Sequence, residues 1–407
     1  MTPMADERMP AGSAPAGRPE GGGESVPVLD GLRGLAALGI VTYHAWLLSG
    51  QARLDDGPVR DVLSSGFLSV ALFFALSGFV LFLPVVRAGG AFGSVRRYGL
   101  RRAARILPAY YVVLLVCALA FPLLTTGERL ADQVSPASLV AHLTLTLNEA
   151  RLLPGYQGAL GLGVDPVLWT LSLEAVFYAL LPLVAGWFYR HPWPGLLIPL
   201  GAGLVLRLVL AGEPDGRTSA LLLSSFPLHA AEFAAGMLAA VAYVRRRPPE
   251  RLAAVLAVAG CATIVALLVA LGGPDGSDVR SAAQRDAFAM ALLPVACAVA
   301  LLGLAAGPRV LQAPLACRPA RWLGSVSYGT FLVHFPVILL AVHALGFSRD
   351  GSGRAFVELA AFCVPVSLAL GWLSWVAVER PARRLARRVT PVPRASATPE
   401  PAYQQRT

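Results

Sequence analysis

Arg33 and His44 stand eleven residues apart in LDGLRGLAALGIVTYHAW, a stretch otherwise dominated by apolar and small residues. As a helix, eleven residues turn through about 1100°, within about 20° of three full turns, and rise about 16 Å. The guanidinium and the imidazole therefore share one face at two depths. Ionisable groups in such surroundings are expensive and mark function more often than packing. An imidazole there is suited to take a proton from a hydroxyl, or to accept a group itself. Glu174, in PVLWTLSLEAVFYALLPL, and Glu232, in FPLHAAEFAAGMLAAV, lie six or seven residues inside their own apolar stretches. A carboxylate beside a histidine orients the ring and supports its charged form. The bland alternative is a snorkelling arginine, a hydrogen-bonded histidine, and acids that are neutral or paired with arginine.

The densest basic run is SVRRYGLRRAARILPAYY, with Arg97, Arg101, Arg102 and Arg105 at helical spacing. Two readings stand side by side. The run anchors the chain on anionic lipid, or it grips the phosphates of a donor such as coenzyme A, which arginine fits bidentately. Tyr328 and His334, in RWLGSVSYGTFLVHFPVILL, are candidate substrate contacts or polar packing groups. The five cysteines show no C-x-x-C spacing, so neither a disulfide nor a metal site is expected.

These residues need elements to hold them. Hydrophobic residues make up 56% of the 407 and charged residues 14%, against roughly a quarter charged in soluble domains. Apolar blocks run over approximately 32–50, 67–87, 106–124, 167–189, 194–212, 226–244, 251–272, 286–306, 327–346 and 355–378. Each is long enough to cross a bilayer. The block 138–147 is too short to cross and is expected to be external or re-entrant. Residues 1–26 and 389–407 read as polar, disordered tails around a membrane domain over 27–388. The net charge is +10, and the basic residues are all arginines, most of them in short loops between apolar blocks rather than in a nucleic-acid patch. With both termini cytoplasmic, the inside loops carry roughly twice as many arginines as the outside ones, as the positive-inside bias requires. The expected fold class is all-α, a polytopic transmembrane helix bundle of about ten spans, multi-pass in the plasma membrane, with the lipid bilayer as a partner.

The stretches LDGLRGLAALGIVTYHAW, GFLSVALFFALSGFVL, RRYGLRRAARILPAYY, LWTLSLEAVFYALLPL, EFAAGMLAA, LGSVSYGTFLVHFP and ERPARRL follow one another over about 28–388. Together they resemble the successive motifs of acyltransferase family 3. The resemblance implies a ten-span enzyme moving an acyl group, often acetyl, from acyl-CoA to a hydroxyl of a surface glycan, peptidoglycan, lipid or macrolide. The family's Arg and His fall on Arg33 and His44, its Arg-x-x-Arg on Arg102 and Arg105, and its span acid on Glu174. A second acid often follows, and here Ala175 takes its place. Little chain follows the tenth block, which tilts the expectation toward a small-molecule or lipid-linked acceptor. The rival class is a multi-span transporter of a glycolipid or antibiotic, which the buried charges also suit. No pair of related halves, usual in transporters, is visible.

Overall fold

A segment surrounded by hydrocarbon must satisfy its backbone groups within itself, and helices do so. The computed structural model describes residues 26–51, 57–124, 136–150, 165–211, 224–271 and 287–391, and no strand occurs among them. Ten long helices follow in order: α1 Pro27–Leu48, α2 Ser69–Arg87, α3 Val95–Leu124, α4 Trp169–Arg190, α5 Pro192–Ala211, α6 Phe226–Arg245, α7 Glu250–Leu271, α8 Ala287–Ala306, α9 Arg318–His343 and α10 Gly353–Ser374. Nine of them, α2 to α10, are long and apolar enough to cross a membrane by length and composition. The 22 residues of α1 match the others in length, and Arg33 and His44 are what dilute its apolar character.

Two helices begin well before their apolar blocks. The arginine run at 96–105 is the first part of α3, and Arg318 to Val326 is the first part of α9. Both carry basic side chains from the membrane face into the span without a break. At its end α10 widens into a π turn, Trp375–Glu379, and continues as the helix Arg380–Val389. Pro381 has no N–H and its ring crowds the carbonyl four residues back, which a local π turn accommodates.

Side-chain pairs fix the helix directions. Gly34 meets Leu323 and Ala45 packs with Val337 and Ile338, so α1 and α9 are parallel. Phe74 stacks on Phe233 at 4.6 Å and Phe79 meets Tyr243 at 5.8 Å, so α2 and α6 are parallel. Gly260 lies against Ala300 and Gly303 against Ala257, so α7 and α8 are antiparallel. Phe347, just past α9, meets Phe362 of α10 while Gly329 faces Gly371, so those two are antiparallel as well. Strict alternation over ten crossings gives this pattern.

The alternation also settles 138–147. Tyr98 faces Tyr178 at one end of the α3–α4 pair, while Ile106 and Leu171 share a wall farther along. The two helices are therefore antiparallel, so 136–150 is not a lone crossing between them. These residues form the short helices Pro136–Leu143 and Leu147–Ala150. Tyr110 and Tyr111 donate to the His142 and Leu143 carbonyls at 2.8 and 3.0 Å, and Asn148 donates to the Trp169 carbonyl at 2.9 Å. The segment is thus pinned against α3 and the start of α4.

Close helix approach rests on glycine, as is usual where lipid gives no hydrophobic drive to association. A Cβ at Gly236 would stand 1.8 Å from the Ala75 carbonyl oxygen, and one at Gly324 would stand 1.9 Å from the Asp30 oxygen. Gly236→Leu is expected to wedge α6 from α2 and cost about 3 kcal/mol or more. A lowered thermal midpoint in detergent, with loss of monodisperse protein, is the check.

Candidate active site

Five helices enclose a narrow cavity of about 70 Å³ lined by Arg33 of α1, Phe73, Phe74 and Ser77 of α2, Arg105 and Ile106 of α3, and Glu174 and Tyr178 of α4. Ser327, Tyr328 and Phe331 of α9 complete it. Ser77 donates to Glu174 at 2.8 Å, and the Tyr178 hydroxyl donates to the same carboxylate oxygen. Tyr178 sits one turn beyond Glu174, the spacing that lets two helical side chains meet. A carboxylate in a largely apolar wall needs such donors and a nearby counter-charge. Arg33 and Arg105 supply that charge across the cavity. The Tyr328 hydroxyl donates to the Ile106 carbonyl at 2.9 Å and ties α9 to α3.

The cavity adjoins a polar vestibule of about 370 Å³, which shares Arg33, Arg105, Ser327 and Tyr328 with it. Arg318, Arg321 and Trp322 of α9 line the vestibule, with Trp375, Glu379 and Arg383 from beyond α10. Five arginines there face two carboxylates, Asp30 and Glu379. Arg33 lies 3.7 Å from Asp30, one turn away, and Arg383 sits over the Trp375 ring at 5.0 Å. The balance of charge favours a polyanion, and the indole faces offer a stacking surface.

At the opposite end of the cavity stands Phe331, whose ring lies 6.0 Å from Phe73 and 5.5 Å from the His334 ring. Behind it are the two histidines. His44 Nδ1 and His334 Nε2 are 3.0 Å apart, and His334 Nδ1 is 2.6 Å from the Phe331 carbonyl oxygen. A carbonyl only accepts, so the proton of His334 is on Nδ1 and its Nε2 is an acceptor. That acceptor faces His44 Nδ1, so the His44 proton is there and His44 Nε2 carries a free lone pair. His334 is fully buried, whereas His44 is half-buried. The relay assigns His44 the tautomer a base or nucleophile needs, as the aspartate does in a serine protease triad.

Some candidates gather here and others do not. Arg33, Arg105, Glu174 and Tyr328 line the cavity, and His44 and His334 form the pair behind Phe331. His44 does not itself line the cavity; the Phe331 ring stands between the cavity and the His334 ring that His44 contacts. Arg102 lines a neighbouring cleft. Arg97 lines neither cavity nor vestibule, and neither does Arg101, whose guanidinium donates to Thr390 at 3.1 and 2.8 Å. Arg101 thereby straps the final helix to α3. Glu232 lies away from the cavity, 3.3 Å from His229, whose ring meets Phe74. Arg318, Arg321, Arg383, Ser77 and Tyr178 were not singled out in the sequence. The i, i+3 pair of arginines before Trp322 and the i, i+4 pair of Glu174 and Tyr178 were the available signals. Among the described residues, no group of three or more metal-ligating side chains occurs.

The profile of the acyltransferase domain family matches residues 26–376. The peptidoglycan O-acetyltransferase OatA of Listeria monocytogenes is 25% identical over 379 residues, 88% of this chain and 56% of its own length. The putative peptidoglycan O-acetyltransferase YrhL of Bacillus subtilis is 24% identical, covering 88% of this chain and 55% of its own. The chain thus spans about half the length of those two relatives. The acyltransferase MdmB of Streptomyces mycarofaciens is 30% identical over 409 residues, 93% of this chain and 96% of its own. No solved structure matches. Motif order, match length and the arginine–histidine core agree, and the chain belongs to the acyltransferase domain family, acyltransferase family 3.

Proposed function

We propose that the protein is a membrane-embedded O-acyltransferase that moves a short acyl group from acyl-CoA to a hydroxyl of a sugar, glycolipid or macrolide-type acceptor. The observation carrying this reading is the His44–His334 hydrogen bond behind Phe331, the residue that closes one end of an arginine-lined cavity. In this reading the arginine-bearing face is cytoplasmic and the membrane is the plasma membrane. The phosphates and adenine of acetyl-CoA lie in the vestibule on Arg318, Arg321 and Arg383, with Trp322 and Trp375 beside the ring. The pantetheine arm passes Arg33 and Arg105, and the thioester approaches His44 once the Phe331 ring turns aside. His44 Nε2 takes the proton from the acceptor hydroxyl as its oxygen attacks the thioester carbonyl. The C–S bond then breaks, and the coenzyme A thiolate takes the proton back from the imidazolium. A second route uses the same nitrogen as nucleophile: it displaces coenzyme A thiolate to form an acyl-imidazole, the acceptor oxygen then takes the acyl group as the N–C bond breaks, and the hydroxyl proton ends on the thiolate. Glu174, holding Ser77 and Tyr178, orients the acceptor or keeps the cavity's charges in balance. No metal takes part in either route.

The test uses purified protein in proteoliposomes supplied with radiolabelled acetyl-CoA and candidate sugar, lipid or macrolide acceptors. Label is expected in an acceptor fraction as an alkali-labile ester. Absence of label from every fraction, with the donor intact, overturns the reading. The vestibule has its own prediction. Arg321→Ala is expected to raise KM for acetyl-CoA by about 10- to 100-fold with kcat little changed, since a hydrogen bond to a charged group contributes about 1.5–3 kcal/mol. Turnover of acetyl-pantetheine, which lacks the nucleotide, should respond far less. An equal loss with both donors contradicts the assignment of the nucleotide to the vestibule.

A further inference from the structure

A second cleft, of about 360 Å³, runs between α3 and α4 and shares Ile106, Leu171 and Tyr178 with the central cavity. Small residues hold it open. Gly99 and Ala103 on α3, and Ala175 and Ala179 on α4, recur at four-residue spacing along the walls, with Leu107 and Leu145 at the deep end. Gly99 and Ala179 are exposed, and a Cβ at Gly99 would meet nothing within 4 Å. The cleft therefore opens sideways, toward where the bilayer lies. Its two ends differ in chemistry. Near the arginine-bearing face are Arg102 and Tyr98, whose hydroxyl is buried with no partner among the described residues. Beyond them the walls are hydrocarbon. Such a gradient matches an amphiphile lying in one leaflet, with its polar end at the interface and its apolar part deeper.

The vestibule cannot serve both substrates at once if the donor's nucleotide fills it, so the second substrate needs a separate way in. We propose that the α3–α4 cleft receives the apolar part of a bilayer-dissolved, hydroxyl-bearing amphiphile, the acyl acceptor, which enters laterally and reaches the central cavity past Tyr178. The inference rests on reading the central cavity as the site of acyl transfer. Within that reading it defines the acceptor class: a molecule that partitions into the membrane, rather than one arriving from water. Where Ala175 stands, a larger or acidic side chain would project into the same cleft, so this position tunes what enters.

The test uses full-length protein in phosphatidylcholine–phosphatidylglycerol vesicles containing a diazirine-bearing hexadecanol as the probe. After irradiation, cross-linked peptides are expected to concentrate on 95–107 and 171–182, well above the lipid-facing surface of α7. Ala179→Phe and, separately, Ala103→Leu should each lower that labelling by about tenfold. Val258→Phe, a lipid-facing change on α7, should leave it unaltered. His44→Ala should also retain it, because the cleft does not depend on the chemistry. Labelling spread evenly over the outer helices, or unchanged in both cleft-filling variants, overturns the proposal. If instead His44→Ala remains a full acyltransferase while labelling stays confined to the cleft, the catalytic reading fails and the amphiphile site stands.

Discussion

His44→Ala is expected to lower acyl transfer by about 10³-fold or more, the range over which a positioned base or nucleophile contributes. Folding should survive. The site is half-buried, alanine favours the helix, and the α1–α9 seam is made chiefly by backbone approach at Gly34 and Gly324 and by the cluster at Ala45. Steady-state transfer in proteoliposomes and the thermal midpoint in detergent, measured together, separate chemistry from stability. Binding of acetyl-CoA should persist in the variant, since the phosphates are held about three helical turns away. Turnover within tenfold of the parent protein would remove His44 from the reaction.

The second large effect falls on a residue that touches no substrate. His334 Nε2 accepts a hydrogen bond from His44 Nδ1–H, and His334 Nδ1–H donates one to the Phe331 carbonyl. With His334→Phe, nothing on α9 holds that tautomer, and kcat is expected to fall roughly 100-fold with donor KM little changed. A comparable tautomer error in a serine protease is worth more. His334→Gln returns an acceptor oxygen and should recover a substantial part of the loss. A packing role predicts the reverse order, because phenylalanine fills the buried site better than glutamine. The split between kcat and KM, with rescue by glutamine, therefore distinguishes positioning from filling.

Much of this arrangement was legible in the chain, for reasons that differ by residue. Arg33 and His44 are on one helix, and helical geometry alone places them on one face at two depths. The helix count follows from apolar block length, and the short block at 138–147 fails the same criterion. Helix–helix partners are another matter. His334 lies 290 residues from His44, and no local pattern states that α1 runs parallel to α9 with glycines at the crossing. The arginines divide for a similar reason. In 96–105 all of them occupy one helix, yet only Arg105 turns into the cavity, because the helix face that carries Arg101 is taken by Thr390. The vestibule instead gathers arginines from α1, α3, α9 and the helix after the π turn. That convergence depends on the π turn at Trp375, which the sequence signals only through Pro381.

The central claim is that one continuous path joins the arginine vestibule to His44 through the cavity closed by Phe331. The most direct measurement is the structure of the protein with a non-hydrolysable ketone analogue of acetyl-CoA. Its pyrophosphate should lie on Arg318, Arg321 and Arg383, its arm beside Arg33, and its carbonyl carbon within about 4 Å of His44 Nε2, close to attack distance, with the Phe331 ring swung away. A carbonyl held on the vestibule side of an unmoved Phe331, or an analogue bound outside this path, would contradict the account.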